Sequence, residues 1–566
     1  MARKTRQERA EWADQRLNAM RTPRYSWWVH WRELANFMLP RRYKWLITPN
    51  EMSRGTQLNT GIIDSTGTIA ARVCAAGMMS GITSPTRPWF RLGIEGLQLN
   101  DSSNPASLWL AEVEKRMLKV FAESNFYNAM ATLYLDLVVF GTGVSICYED
   151  FENVVRFYNP CAGEYYLDAG PTYEVDVLAR EFTMTVKQVV QEFGIENCSQ
   201  STRKAYEQPG TRSSEIVVCH LIEPNDGSER KWKYVELYWE RGNTDEGPLR
   251  WSGYNDWPVI APRWDLVSND VYGRSPAMDA LGDIKQLQQE TKRKGQAIDK
   301  MVNPPMLADV QLRNQPASLL PGGVTYVSGM QNIGYKPVFE VKPPINELKE
   351  DIKEIQERIK VIFFNDLFMM ISQLDTVRTA TEIDARREEK LIMLGPVLER
   401  FEQEALDPVI ERVFGIMMRA GLLPEPPPEV AQSGRSLNVQ YVSMLAEAQR
   451  AVSASGMERV MGLAGNIAAA DPSVLDNINV DEFITEYADL MGVPPKIMRS
   501  KDEIAAIREQ KMQQQQQSAL LGQTDAAVKG AQVLSKTDVG GGQNALAAMM
   551  GLGGPQAGAE AGAPPA

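Results

Sequence analysis

Histidine is almost missing from this chain: 566 residues contain only His30 and His220, far apart in sequence. That scarcity removes an HExxH zinc motif, a histidine cluster and a histidine-based catalytic triad. Cysteine is nearly as scarce, with five residues (Cys74, Cys147, Cys161, Cys198, Cys219), an odd number without any CxxC spacing. A disulfide framework is thereby excluded, and settings such as VSICYE and IVVCHL fit buried thiols in a reducing compartment. The dipeptide Gly-Lys occurs nowhere, so the phosphate-cradling P-loop is absent. No run reaches about 18 uninterrupted apolar residues, the length a membrane span needs. The most apolar stretch, LYLDLVVFGTGVSIC, carries Asp136 and two glycines, and the opening MARKTRQERAEWADQR lacks the apolar core of a secretory signal.

What is present is ordinary globular material. Apolar residues make up 43% and charged residues 23%, with Lys+Arg 60 against Asp+Glu 72 and a net charge of -12. At about 150 residues per domain, the length suggests several domains and a sizeable core. A chain built only to grip DNA would be basic throughout, because such affinity comes from releasing counterions, and this one is not.

The texture changes along the chain. Residues 1–45 hold eleven Lys/Arg against four Asp/Glu, interleaved with Trp12, Tyr25, Trp27, Trp28, Trp31, Tyr43 and Trp45. Such a mixture can bind nucleic acid; the plainer reading is a helical arm that buries Trp27, Trp28 and Trp31 while its arginines stay solvated. The next part, to about 140, is helical, with a periodic apolar face over 108–121. From about 144 to 264, short runs rich in Val, Tyr, Phe and Trp (VVRFY, EYYLD, VDVLAREF, EIVVCHLI, KWKYVELYW, NDWPVIAPRW) predict strands, with one helix near TVKQVVQEFG. The predicted fold class is therefore α+β, mainly helical.

Beyond Tyr272 a helix is predicted through DALGDIKQLQQETKRKGQAIDKMV, stopping at Asn303-Pro304-Pro305. Strand-like MLADV, GGVTYV and KPVFEV then form a small β insert. A second helix carries the clearest period in the chain: Ile345, Leu348, Ile352, Ile355, Ile359 and Ile362 make a heptad seam. Read as one helix from Ile345 to Ser372, it would be about 42 Å long at the usual rise. Its other faces are charged, with Glu350, Lys353, Glu354 and Glu357 among them. After QLDTVR, the segment TATEIDARREEK offers Thr379 or Thr381 as a helix cap, and Asp407-Pro408 and Gly395-Pro396 should bend the helix that follows. Gly421 and Pro424 stop it. The glutamine run at 513–517 and the Gly/Ala/Pro-rich end cannot build much core and are expected to be disordered.

No catalytic constellation emerges. FGTGVS (140–145) lacks the third glycine of a dinucleotide fingerprint and reads as a helix-to-strand turn. Glu347-Leu348-Lys349 has the tripeptide of a metal nuclease, but on a helix where charges belong anyway, and Glu149, Asp150 and Glu152 read as a solvated turn. The expectation is a non-enzyme without cofactor or metal.

Taken together, LYLDLVVFGTGVSICYED at 133–150, VYGRSPAMDALGDIKQLQ at 271–288, the Asn-Pro-Pro break, RTATEIDARREE at 378–389, and LGPVLERFEQEALDPVIERVF followed by GLLPEPP resemble the portal proteins, or head-to-tail connectors, of short-tailed bacteriophages. The order spans roughly residues 10–500. The resemblance implies a non-enzymatic, dodecameric ring at one capsid vertex, with double-stranded DNA passing through its channel. It also implies a layout: an N-terminal arm (1–45), an α+β wing (46–270), a first stem helix (271–303), a clip (304–343) and a second stem helix (344–372). A tunnel loop (373–380), a bent wing helix with its Pro-rich link (381–429), a helical crown (430–510) and a tail (511–566) complete it. Tunnel-loop candidates are Gln373, Leu374, Asp375, Thr376, Val377 and Arg378. Channel-lining candidates are Lys292, Arg293, Lys294, Glu350, Lys353, Glu354 and Glu357, and the seam would pack stem helices. Implied partners are other copies of the chain, major capsid and scaffolding proteins, the terminase large subunit and a tail adaptor, with no membrane. The implied location is the virion, and the host cytoplasm during assembly. An ATP-driven nucleic-acid motor or nuclease subunit, or another virion part such as a tail adaptor, stays as the alternative.

Overall fold

The computed structural model describes residues 5–43, 46, 61–94, 105–227, 231–244, 246–302, 306–308, 335–337, 344–372, 394–428, 430, 437–441, 457–467, 478–490 and 503–514, with isolated positions up to 550. Two compact units are distinguished, residues 1–97 with 109–492 and residues 98–108 with 493–566. The second contains the helix at 503–514. The expected tail disorder falls almost wholly outside the described residues.

In chain order the elements are α1 (Arg6–Phe37), α2 (Thr66–Ile82), β1 (Phe90–Ile94), α3 (Pro105–Glu123), α4 (Phe126–Phe140), β2 (Ser145–Asp150), β3 (Val154–Tyr158), β4 (Tyr165–Ala169) and β5 (Val175–Thr185). Then come α5 (Val186–Phe193), α6 (Gln200–Glu207), β6 (Glu215–Pro224), β7 (Tyr234–Glu240), β8 (Arg250–Tyr254) and β9 (Val259–Ile260). The remainder is α7 (Pro276–Val302), β10 (Met306–Ala308), β11 (Tyr335–Pro337), α8 (Ile345–Ile362), α9 (Asn365–Ser372), α10 (Asp407–Arg419), β12 (Leu437–Tyr441) and α11 (Val480–Leu490). The class is α+β and mainly helical.

The body is a five-stranded sheet in the order β4-β5-β6-β7-β8 and a three-stranded sheet in the order β3-β2-β9, antiparallel throughout. Side chains alternate across a strand, so the large sheet has two distinct faces. On one, Ala179, Cys219, Leu221, Leu237 and Trp239 pack against Ala13, Leu17 and Met20 of α1. On the other, Val218 and Tyr238 meet Val189 and Phe193 of α5. The N-terminal arm is thus a docked helix, started by a capping box of Thr5 and Glu8. Trp31 is fully buried and donates its Nε1–H to Phe140 O at 3.0 Å; Trp27 lies on Tyr272, and Trp28 is only half-buried.

Gly141 caps α4 with φ 76°. A side chain there would meet Gly273 O at 2.1 Å, so this backbone crossing needs glycine for both conformation and space. That is the role of the first glycine in FGTGVS.

Two helix expectations are corrected. Residues 345–372 are not one rod: α8 ends at Ile362, Phe364 takes φ 55°, and α9 starts at Asn365. Phe363, Leu367 and Phe368 are all buried at the break; in an unbroken helix Phe363 and Leu367 would share a face, whereas Phe368 would lie about 100° from Leu367. Phe368 sits directly on α2, where a Cβ at Gly77 would lie 2.2 Å from its ring. The expected bend at Asp407-Pro408 is a π segment, Glu402–Leu406, inside a helix running from 394 to 419. The Asp407 N–H bonds Glu402 O five residues back, which absorbs the hydrogen bond that Pro408 has no N–H to make. The predicted β insert is described only as the three-residue pairing of β10 with β11. Its GGVTYV run lies outside the described residues.

Candidate functional site

The charged helical pair comes first, because the sequence points to it. α7 and α8 pack together and against α2, with Arg358 near the end of α8 bonding Asp283 near the start of α7 at 3.2 Å. The two helices therefore run antiparallel. Ile352, Ile355 and Ile359 are the buried core of the seam, while Ile345, Leu348 and Ile362 are half-buried. Gln288 of α7 and Gln356 of α8 fasten the start of α2: Gln288 Oε1 accepts the N–H groups of Ile63 and Asp64 at 2.7 and 2.8 Å, and Gln356 Nε2 donates to the Asp64 carboxylate at 2.8 Å. The seam thus seats three helices of one chain.

The charges on this pair face outward. Lys292, Arg293, Glu350, Lys353, Glu354 and Glu357 are exposed and Lys294 is half-buried. Their ion pairs are short-range and solvated, Glu354 with Arg358 at 3.5 Å and Glu357 with Lys360 at 2.9 Å. Exposed pairs of this kind contribute little to folding. The structure thus leaves most of these candidates in contact with solvent. The tunnel-loop candidates Gln373, Leu374, Asp375, Thr376, Val377 and Arg378 lie outside the described residues.

A second cluster was not anticipated from the sequence. On the α5 face of the large sheet, buried Arg180 donates Nε–H to His220 Nδ1 at 2.9 Å and Nη2–H to Tyr148 Oη at 3.2 Å. His220 Nε2 meets Glu236 at 3.0 Å, and Glu236 also accepts from Ser252 and Tyr254 at 2.5 and 2.6 Å. Burial, with Arg180 alongside, pushes the His220 pKa down to about 4, so the ring is neutral and carries its proton on Nε2. Burial works against ionisation of Glu236 as well, but the hydrogen bonds from His220, Ser252 and Tyr254 prevail and hold it down to about 2. The trio superficially has the ingredients of acid-base chemistry. Every imidazole nitrogen and both Glu236 oxygens are engaged internally, and the group joins β2, β5, β6, β7 and β8 as a structural staple. The one sequence signal for it was alternation: 180, 220 and 236 fall on the face opposite Ala179, Cys219 and Leu237.

Other charges tie α10 to the body. Arg419 bonds Glu149 at 3.0 Å and Asp256 at 2.7 Å, and Arg263 holds Glu404 at 2.6 Å. The acidic turn expected at 149–152 is therefore only partly solvated, since Glu149 is fixed by Arg419 and Asp150 by Arg156 at 2.9 Å. A cavity of about 420 Å³ nearby is lined by Glu174, Asp176, Asp256 and Glu411 with Lys233 and Arg412. Among the described residues no group of His, Cys, Asp and Glu is arranged to hold a metal ion, and no helix is long and apolar enough to cross a membrane. Most of the charged groups described above close on one another or face outward.

Comparison with known proteins gives the chain its class. Residues 10–498 match the family described as bacteriophage head to tail connecting protein. The chain is 43% identical over 528 residues to the "Probable portal protein" of Bordetella phage BPP-1, covering 91% of this chain and 94% of the relative. It is 40% identical over 532 residues to the "Portal protein" of Salmonella phage epsilon15, covering 92% and 94%. With its match running over most of its length, the chain belongs to the bacteriophage head-to-tail connecting protein family. The resemblance read from the local strings is thereby established at the level of the family.

Proposed function

We propose that this protein is the portal of a phage capsid: a closed ring of about twelve copies at one vertex, through which double-stranded DNA is packaged and ejected. The observation that carries the reading is similarity to portal proteins of two phages over more than nine-tenths of the chain. The body from 46 to 270 is then the wing, α7 and α8 are the stem around the clip at 304–343, and 373–380 is the tunnel loop. The helix through α10 belongs to the wing and the region 430–510 to the crown.

The mechanism is electrostatic rather than catalytic. Exposed Glu350, Glu354 and Glu357 repel phosphate when copied around a channel, while sparse basic positions such as Lys292, Arg293, Lys294 or Arg378 touch the backbone only briefly. The product is a low-friction conduit. Major capsid and scaffolding proteins hold the ring at its vertex, the terminase large subunit supplies ATP hydrolysis from outside, and a tail adaptor replaces it after filling. The ring assembles in the host cytoplasm and ends in the virion.

Native mass spectrometry with negative-stain class averaging of the purified chain tests this. Closed rings of about a dozen subunits with a central hole are expected. A monomer or dimer at all concentrations, or intrinsic ATPase or Mg²⁺-dependent nuclease activity, would move the assignment to a motor or nuclease subunit.

A further inference from the structure

The charges of α8 are sorted by sign around its axis. At about 100° per residue, Lys349, Lys353 and Lys360 share one flank, about 100° round from the buried stripe of Ile352, Ile355 and Ile359, while Glu347 and Asp351 share the other flank. Glu350, Glu354 and Glu357 lie on the back of the helix, between the two flanks. The fold of one chain leaves both flanks unused. Glu347, Lys349, Asp351 and Lys353 are all exposed, and among the described residues none of the four makes a hydrogen bond or an ion pair. The charges beside them are engaged: Lys360 bonds Glu357 at 2.9 Å, and Arg358, on the acidic flank, is held by Asp283 at 3.2 Å and Glu354 at 3.5 Å. Two unpaired cations therefore stand on one flank and two unpaired carboxylates on the other.

Their spacing matches as well as their sign. The two lysines are one helical turn apart and so are the two acids, and each lysine stands two residues, about 3 Å along the axis, beyond its acid. One arrangement satisfies both pairs at once: two parallel copies of α8 at the same level, basic flank against acidic flank, with the small offset taken up by the flexible lysine stem.

Because the flanks lie on opposite sides of a single helix, they cannot meet within one chain. A two-fold contact would bring each flank onto itself, lysine on lysine and acid on acid. A head-to-tail repeat opposes the signs at every interface, and in a closed ring it fills both flanks of every copy. Twelve helices side by side at roughly 10 Å between axes would leave a hole of roughly 28 Å, wider than a DNA duplex.

We infer that Lys349 and Lys353 of one copy of this chain pair with Glu347 and Asp351 of the next, so that charge on α8 sets the order and level of neighbouring copies. The inference rests on the ring reading above, and its test separates the two. Lys353 then belongs to the contact between copies rather than to the channel wall, and Glu350, Glu354 and Glu357 are left facing the hole. Full-length protein is followed by native mass spectrometry and class averaging at low salt. Glu347→Lys with Asp351→Lys makes both flanks basic, and Lys349→Glu with Lys353→Glu makes both acidic. Each double variant should keep the wild-type circular dichroism spectrum and urea midpoint, yet raise the concentration for half-assembly at least about tenfold, because like charges now meet at every interface. Mixed in equal amounts, with a tag on one form to weigh the composition, the two should form rings again, holding equal numbers of each. Variants that assemble like the wild type, or a mixture that stays as unassembled as its parts, would overturn the pairing and leave the portal reading standing. Rings of the Lys349→Glu, Lys353→Glu form that lose only their retention of duplex DNA would overturn it too, by placing the lysines on the channel wall. A wild-type chain that forms no rings would remove both readings.

Discussion

The body and the helical pair treat charge in opposite ways. In the sheet, Arg180, His220 and Glu236 are buried and locked to one another. On α7 and α8, acidic and basic side chains stand in solvent with only local partners. Buried ion networks tolerate no loss of a member, while exposed charges are nearly free to change as far as folding is concerned. Charge in the body therefore serves the chain's own rigidity, whereas charge on the pair does little for it.

The contrast breaks most sharply at Arg180. Arg180→Met leaves Glu164 and His220 without their buried cation and should cost about 3–5 kcal/mol, read as a lower urea midpoint by tryptophan fluorescence. Gly77→Ala comes next. Its methyl displaces Phe368 and should cost about 1–3 kcal/mol, with partial recovery when Phe368→Ala is added.

Titration sharpens the comparison further. His220 has a folded pKa near 4, below its ordinary 6.5, so the unfolded chain takes up the proton first and stability is lost as pH falls from 6.5 towards 4. Glu236 adds stability that is present above its ordinary 4.5 and is lost as pH falls through about 2. Asp136 has the opposite sign. Burial raises it to about 6 despite Arg42 at 3.3 Å, so its charge is costly at neutral pH and the cost fades as pH falls below 6. Asp136→Asn should therefore stabilise by about 1–2 kcal/mol at pH 7.5 and by almost nothing at pH 4, in paired denaturation curves. The smallest effect is expected on the helical pair: Glu350→Gln, Glu354→Gln and Glu357→Gln combined should leave the unfolding midpoint unmoved. Its consequence should show only as tighter, salt-sensitive retention of duplex DNA by the assembled protein.

How much of this was legible in the sequence follows the range of the physics. The seam at Ile352, Ile355 and Ile359 and the strands of the body announce themselves through local periodicity. The break at Phe364 does not, because it goes with where Phe368 finds a place on α2, a contact distant in sequence. The π segment before Pro408 was visible as a disturbance and not as its kind, since a proline states only which hydrogen bond is missing. The staple of Arg180, His220 and Glu236 was invisible beforehand: its members come from three strands, and only the strand register brings them together. The charged candidates on α7 and α8 could be named from helical spacing, whereas what they would face in an assembly is decided by contacts between copies and not within one chain.

The most direct test of the account is a cryo-electron-microscopy reconstruction of the assembled protein, asking which side chains face the central hole. The account predicts a closed ring wide enough for a DNA duplex, with Glu350, Glu354, Glu357 and Lys292 on the inner wall. A ring with these residues on its outer wall, or a protein that stays monomeric at high concentration, would contradict it.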